Sequence, residues 1–132
     1  MIFDNDKPIY LQMAERLGDD ILTGVYGPDD RVPSIREYAV LLQVNINTAM
    51  KAYEELSRAD ILYNKRGLGY FVKSDAREKI LKDRRRHFIQ SVLPGLFRNM
   101  QLLDIGIDEI DRLWTLHVQA GDNTNASSGV SH

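Results

Sequence analysis

The segment SIREYAVLLQVNINTAMKAYEEL constrains the fold most, because it contains two helical patterns with almost nothing between them. Ser34 followed by Glu37 is a capping box, which predicts the start of a helix. We expect that short helix to end near Gln43. The next helix is predicted over residues 47–59, which leaves residues 44–47 as a tight connection. A short helix, a tight turn and a third helix with a polar start are typical of a helix-turn-helix motif.

The flanking segments complete a winged arrangement. Upstream, PIYLQMAERLGDDILTG opens with Pro8, which suits a first helical turn, and an apolar residue recurs every fourth position. A loop, VYGPDDRVP, follows this first helix. Downstream, β-prone runs at residues 61–63 and 70–72 enclose a basic tip with two glycines, which predicts a β-hairpin. The sequence therefore predicts a mostly α fold with a small β-hairpin, with an N-terminal winged helix-turn-helix over residues 1–73.

The remainder, residues 74–120, is predicted to be a helical dimerisation segment. Its apolar residues recur at helical spacing, and Pro94 predicts a kink or a break into two helices. The segment is too short to enclose a ligand-binding domain, so we expect its apolar stripes to need a partner. The small polar residues 121–132 are predicted to form a disordered tail. The expected dimerisation residues are Leu81, Phe88, Val92, Leu96, Met100, Leu103, Leu113 and Trp114.

Three uncharged polar residues mark the start of the third helix: Asn45, Asn47 and Thr48. One of them is enough to cap a helix, and the other two are available to read base edges in a major groove. Asparagine can pair with adenine through two hydrogen bonds, and threonine offers a hydroxyl and a methyl group. Lys51, one turn later, is placed to reach a phosphate. The alternative is that one residue caps the helix and the others are incidental; the sequence does not say which residue caps and which reads.

Two further places are candidates for DNA contact. Ser34 and the free N–H groups at its helix start form an anion site with Arg36 beside it, although Arg36 could instead pair with a nearby carboxylate. The hairpin tip could enter a minor groove or follow phosphates, although an ordinary hairpin would need the same glycines. The tip residues are Lys65, Arg66, Gly67 and Gly69.

Composition excludes several classes of function. The formal net charge is −2, so a nucleic-acid surface must arise from the arrangement of charge and not from its total. The chain has no cysteine, which excludes disulfides and thiolate metal sites and fits a cytoplasmic protein. No secretory leader and no apolar run of about 20 residues are visible, so no membrane association is expected. Catalytic constellations and metal-ligand spacing are also missing, and we expect neither an enzyme nor a cofactor.

The motifs PIYLQ, VPSIRE, VNINTAMKAYEEL and KRGLGYFV, within residues 8–72, resemble the DNA-binding domain of the GntR family of bacterial transcription regulators. The short helical remainder resembles the YtrA-like subfamily, in which two helices serve dimerisation. The resemblance implies that Arg36 contacts DNA, that Lys51 touches the backbone and that the region from Arg66 to Gly69 enters the minor groove. It also implies that residues opening the third helix read or position the operator: Asn45, Asn47 and Thr48.

Three positions depart from the family pattern. Asp29 and Asp60 stand where the family usually has glycine, and we expect no change of fold because aspartate tolerates left-handed turns. Met50 stands where other branches carry a polar or basic side chain, which leaves base contact there open. The expected function is that of a homodimeric repressor that binds a palindromic operator in double-stranded DNA. A winged helix used for protein contact is the rival, favoured by the acidic net charge; the sequence identifies no small-molecule effector.

Overall fold

The computed structural model describes the backbone of residues 6–130 and the side chains of residues 6–122. The chain divides into two compact units, Met1–Arg86 and His87–His132. The elements of the first unit are α1 (Ile9–Leu22), α2 (Ile35–Leu42), α3 (Ile46–Arg58), β1 (Leu62–Lys65), β2 (Gly69–Val72) and α4 (Ala76–His87). This order confirms the predicted mostly α fold with a two-stranded antiparallel hairpin.

The core of the first unit forms where α1, α2 and α3 meet, and Tyr53 lies at its centre. Tyr53 is fully buried on α3, and its hydroxyl donates a hydrogen bond to the carbonyl of Pro33, directly before α2. Its ring packs edge-on against Tyr70 at 5.0 Å between centroids and lies 5.8 Å from Tyr38. Burial raises the pKa of Tyr53, so its hydroxyl stays protonated and continues to donate. One side chain thus joins α3 to the start of α2 and to the hairpin.

Left-handed backbone conformations end several of these elements without glycine. Gln43 caps α2 at φ 56°, and Asp29 and Asp60 both have φ 63°. The Asp29 carboxylate accepts a hydrogen bond from Tyr63 at 2.8 Å, and Asp60 forms ion pairs with Lys73 and Lys79. These bonds offset part of the cost of a left-handed residue that has a Cβ. The two aspartates therefore fill the expected left-handed positions, and the winged fold is kept.

The hairpin has a third partner that the sequence did not predict. β1 pairs with β2 in the register Lys65↔Gly69 to Leu62↔Val72, and Arg31 forms an additional antiparallel bridge with Phe71. The N–H of Val32 donates to the carbonyl of Tyr70 at 3.0 Å. The loop between α1 and α2 therefore includes a short strand-like stretch. A single bridge is too short to leave a period-two pattern, which is why the sequence indicated only a loop.

The first unit extends beyond the predicted boundary at residue 73 because α4 packs against α1. Ala76 and Ile80 belong to the buried core. Arg84 forms an ion pair with Asp19 and donates to the carbonyl of Glu15 at 2.8 Å. The guanidinium passes over Gly18, where an added Cβ would lie 2.8 Å from Nη2. The start of the segment predicted for dimerisation is therefore also part of the first unit.

The second unit contains one turn of π-helix (Phe88–Val92), then α5 (Leu93–Leu102) and α6 (Ile107–Val130). Pro94 lies in the first turn of α5. The sequence predicted a kink or a break into two helices here, and the structure has a π-helical turn immediately before the proline. α6 continues past residue 120, where we expected it to end, so the predicted disordered tail is helical as far as Val130. This stretch has no proline, and Gly121 lowers helix propensity without stopping a helix. Residues 131–132 lie outside the described part.

We expect Tyr53→Phe to lower the free energy of unfolding by about 1–3 kcal/mol, because the Pro33 carbonyl loses its buried donor. Urea denaturation measures this as a lower midpoint at an unchanged slope. Tyr63→Phe is the matched control, since its hydroxyl bonds an exposed carboxylate, and its cost should be smaller. Equal costs for the two variants would contradict the central role of Tyr53.

Candidate nucleic-acid interface

The start of α3 is capped by Asn45, which answers the question that the sequence left open. The Asn45 Oδ1 accepts a hydrogen bond from the backbone N–H of Asn47 at 2.8 Å. The Asn45 carbonyl accepts from the N–H of Thr48 at 3.0 Å. Within the described residues, the Asn47 amide and the Thr48 hydroxyl make no recorded hydrogen bond. Asn47 is exposed and Thr48 is half-buried, so Asn47 is the better placed of the two to meet a ligand.

The start of α2 is built by the predicted capping box. The Ser34 Oγ accepts from the N–H of Glu37 at 3.0 Å, and Glu37 Oε1 accepts from the N–H of Ser34 at 3.1 Å. Hydrogen bonding from Ser34, first of all from its backbone N–H, holds the pKa of the Glu37 carboxyl below its usual value, with a smaller contribution from the charge of Arg31. The N–H groups of Ile35 and Arg36 make no recorded bond in the described part and remain free for an anion. The Ser34 Oγ acts as an acceptor in this box, which orients the helix start.

The two cations at the wing tip, Lys65 and Arg66, differ in their surroundings. Arg66 lies at the exposed end of the hairpin beside Gly67, which has φ 80°. Lys65 instead lies back over the hairpin, with its Nζ 4.6 Å from the ring centroid of Phe71. Lys65 must therefore leave this ring to reach a ligand beyond the tip, whereas Arg66 need not.

Gly69 is required for two reasons. Its φ is 111°, which a residue with a side chain rarely adopts, and an added Cβ would lie 3.1 Å from Nε of Arg31. Arg31 is the residue that the sequence analysis missed. Its backbone forms a bridge to Phe71 of the wing, three residues before the Ser34 cap of α2. The bridge is too short to leave a pattern in the sequence, so no signal pointed to Arg31.

The cations of this surface share one property: none forms an ion pair within 4 Å among the residues that the structure describes. They are Arg31, Arg36, Lys51, Lys65 and Arg66. Some other cations of the first unit are paired with acids, as in Lys79 with Asp60 and Arg84 with Asp19. Four more have no such pair among the described residues: Arg16, Arg77, Lys82 and Arg85. The alternative for Arg36, an ion pair with a nearby carboxylate, is not found among the described residues. A chain with net charge −2 thus places five cations without an ion pair around the starts of α2 and α3 and the wing.

The predicted dimerisation residues are mostly exposed. Leu81 is exposed on α4, and six others are exposed in the second unit: Phe88, Val92, Leu96, Leu103, Leu113 and Trp114. Met100 differs, because it is buried within the single chain and is not available to a partner without rearrangement. Ile89 and Phe97, which the sequence analysis placed on the same apolar stripe, are exposed as well.

We also searched the described residues for a metal-ion site and for a membrane-spanning helix. Its histidine and acidic side chains form no group of three that could hold a metal ion. Among the same residues, none of the helices has the length and apolar character needed to cross a membrane.

Known proteins match this chain along most of its length. The model of the family described as bacterial regulatory proteins, gntR family, matches residues 9–72. The HTH-type transcriptional regulator YhcF of Bacillus subtilis, itself uncharacterised, is 32% identical over 108 residues, covering 82% of this chain and 88% of YhcF. The HTH-type transcriptional repressor YtrA of the same organism is 35% identical over 78 residues, 59% of this chain and 60% of YtrA.

Solved structures agree with these matches. A crystal structure described as a GntR-family transcription regulator from Bacteroides thetaiotaomicron has a TM-score of 0.72 at 42% identity, and the match covers 86% of this chain and 98% of that one. The DNA-binding domain of AraR in complex with the operator ORX1 has a TM-score of 0.50 at 29% identity, over 54% of this chain and 92% of that one.

We expect Asn45→Ala to lower the free energy of unfolding by about 1 kcal/mol, because α3 loses its cap. Asn47→Ala is the matched control; its side chain makes no recorded bond, and the change should stay within about 0.5 kcal/mol. Asn45→Asp should restore most of the loss. A larger loss for Asn47→Ala than for Asn45→Ala would reverse the two roles.

Proposed function

This chain belongs to the GntR family and is a DNA-binding transcription regulator, and we propose that it acts as a homodimeric repressor on a palindromic operator. The observation that carries the proposal is the start of α3. Asn45 already caps the helix, so the exposed amide of Asn47 is left without a structural task. Free donors and acceptors at the start of such a helix are what base recognition in a major groove requires.

The surrounding charges support the same role. Lys51 lies one turn after Asn47, Arg36 projects from the start of α2 and Arg66 stands at the wing tip, each without an ion pair in the described residues. Phosphate contacts of this kind position a protein on DNA, whereas base contacts give it specificity. We assign Asn47 to base reading, with Thr48 beside it, and Arg36, Lys51 and Arg66 to the backbone and the minor groove. Asn45 retains its Nδ2 group as a donor while its Oδ1 caps the helix.

The homodimer rests on the second unit. Exposed apolar side chains, such as Phe88, Phe97 on α5 and Trp114 on α6, are costly in water and typical of an interface. A two-fold dimer would present two α3 helices to half-sites about one helical turn apart, roughly 34 Å, which is the basis for a palindromic operator. The repressor Bacillus subtilis YtrA supports repression as the mode of action.

The charge assignment predicts a change in salt dependence. Lys51→Ala should weaken binding to every sequence and reduce the slope of log affinity against log salt by about 1. Arg58→Ala is the matched control on the same helix, because Arg58 is already paired with Glu55 at 2.6 Å, and its slope should equal that of the unaltered protein. Titrations of a labelled duplex, selected in vitro for tight binding, give both slopes.

The base-reading assignment predicts a different result. Asn47→Ala should relax the preference at one base pair by about 1–3 kcal/mol while leaving the salt slope unchanged. If sequence preference survives in this variant, Asn47 does not read a base. Affinity that does not fall with salt in the unaltered protein would favour the rival function, protein contact.

If the chain is a homodimer, a charge introduced into the interface should cause the dimer to dissociate into monomers. Leu96→Asp places a carboxylate in the proposed interface and should raise the dissociation constant of the dimer by about 100-fold or more. Leu41→Asp is the control, since Leu41 is exposed in the first unit, and it should remain dimeric. Light scattering at micromolar concentration distinguishes the cases, and a monomer mass for the unaltered chain would refute the dimer.

A further inference from the structure

The exposed face of α3 carries one apolar side chain among polar ones. Residues spaced three and four apart share a helical face, and on this one they are Asn47, Met50, Lys51 and Glu54. The opposite face is buried and consists of Ala49, Ala52, Tyr53 and Leu56. Met50 is 42% exposed, although exposure of an apolar side chain to water is unfavourable.

Met50 has an apolar neighbour one turn earlier. Ile46, the first residue of α3, is 38% exposed, and the spacing of four residues places the two side chains side by side. Neither residue belongs to the apolar core of the first unit or to the half-buried side chains packed against it. Core packing therefore does not explain why two large apolar residues stand at the exposed start of this helix.

The position of this pair relative to Asn47 suggests its ligand. A helical turn holds about 3.6 residues, so Met50 projects roughly 60° from Asn47 around the axis and one turn further along. A base pair next to the one that Asn47 reads would lie within reach of Met50. The major groove offers one apolar group at its base edges, the 5-methyl group of thymine.

We propose that Met50, with Ile46 beside it, contacts the 5-methyl group of a thymine adjacent to the base read by Asn47, and so contributes to operator specificity. This inference rests on the proposed function. Met50 has no donor with which to pair a base, so its contribution is apolar contact alone. The flexible, polarisable thioether can adjust to a methyl group whose position varies with local DNA geometry.

Uracil tests this contact, because it differs from thymine only by the missing methyl group. A duplex selected in vitro for tight binding to the full chain is prepared with each half-site thymine replaced in turn by uracil. At one or two adjacent positions we expect binding to weaken about three- to fivefold, the effect of one buried methyl-sized group. In Met50→Ala the same replacement should weaken binding by less than about 1.5-fold.

Two control variants isolate the effect. Met50→Leu keeps an apolar side chain and should keep the uracil penalty. Leu41→Ala removes an apolar side chain that is 67% exposed on α2, and it should also leave the penalty unchanged. Because Met50 is not part of the core, thermal unfolding of Met50→Ala should match that of the unaltered chain.

The outcomes separate this inference from the proposed function. Failure to select any preferred duplex would overturn the proposed function itself. Specific binding with no uracil penalty anywhere, or with an equal penalty in Met50→Ala, would overturn the thymine contact and leave the DNA-binding function standing. Loss of the penalty in Met50→Ala but not in Met50→Leu or Leu41→Ala supports the contact.

Discussion

The hydrogen bond from the Tyr53 hydroxyl to the Pro33 carbonyl is the interaction on which the DNA-facing geometry depends. Pro33 immediately precedes the Ser34 capping box, so this bond fixes the start of α2 relative to the middle of α3. The edge-on contact with Tyr70 adds the hairpin to the same point. The starts of two helices and the wing are therefore oriented by one fully buried side chain. None of the three has to be held by contacts on the exposed surface, which leaves that surface free for a ligand.

Ion pairs hold the parts of the first unit that lie away from the proposed DNA-facing surface. Asp60 forms ion pairs with Lys73 and Lys79, and Asp19 holds Arg84 over Gly18. These pairs attach α4 and the base of the hairpin to the rest of the first unit. Arg36, Lys51 and Arg66 have no such pair among the described residues. The acidic balance of the chain is compatible with a positive interface, because many of its acids lie in ion pairs away from the starts of α2 and α3.

Features that depend on neighbours in sequence could be predicted from the sequence. The capping box at Ser34 and the irregularity of the helix near Pro94 each follow from a few adjacent residues, and the left-handed aspartates were expected from the family pattern. The cap of α3 could not be assigned, because Asn45 and Asn47 are both good capping residues and the helix could begin after either of them. The role of Arg31 and the attachment of α4 through Arg84 depend on partners far away in the sequence, as does the burial of Met100. Local patterns carry no information on such contacts.

The unpaired cations also couple the energetics of folding to those of binding. In the free protein, Arg36, Lys51 and Arg66 form no ion pair among the described residues, and like charges on one surface repel each other. Added electrolyte screens that repulsion, and it also weakens attachment to a polyanion. Salt therefore acts in opposite directions on the free and the bound molecule. A polyanion that binds only the folded state stabilises it by mass action. The midpoint temperature of unfolding therefore rises with the fraction of protein that has the polyanion bound.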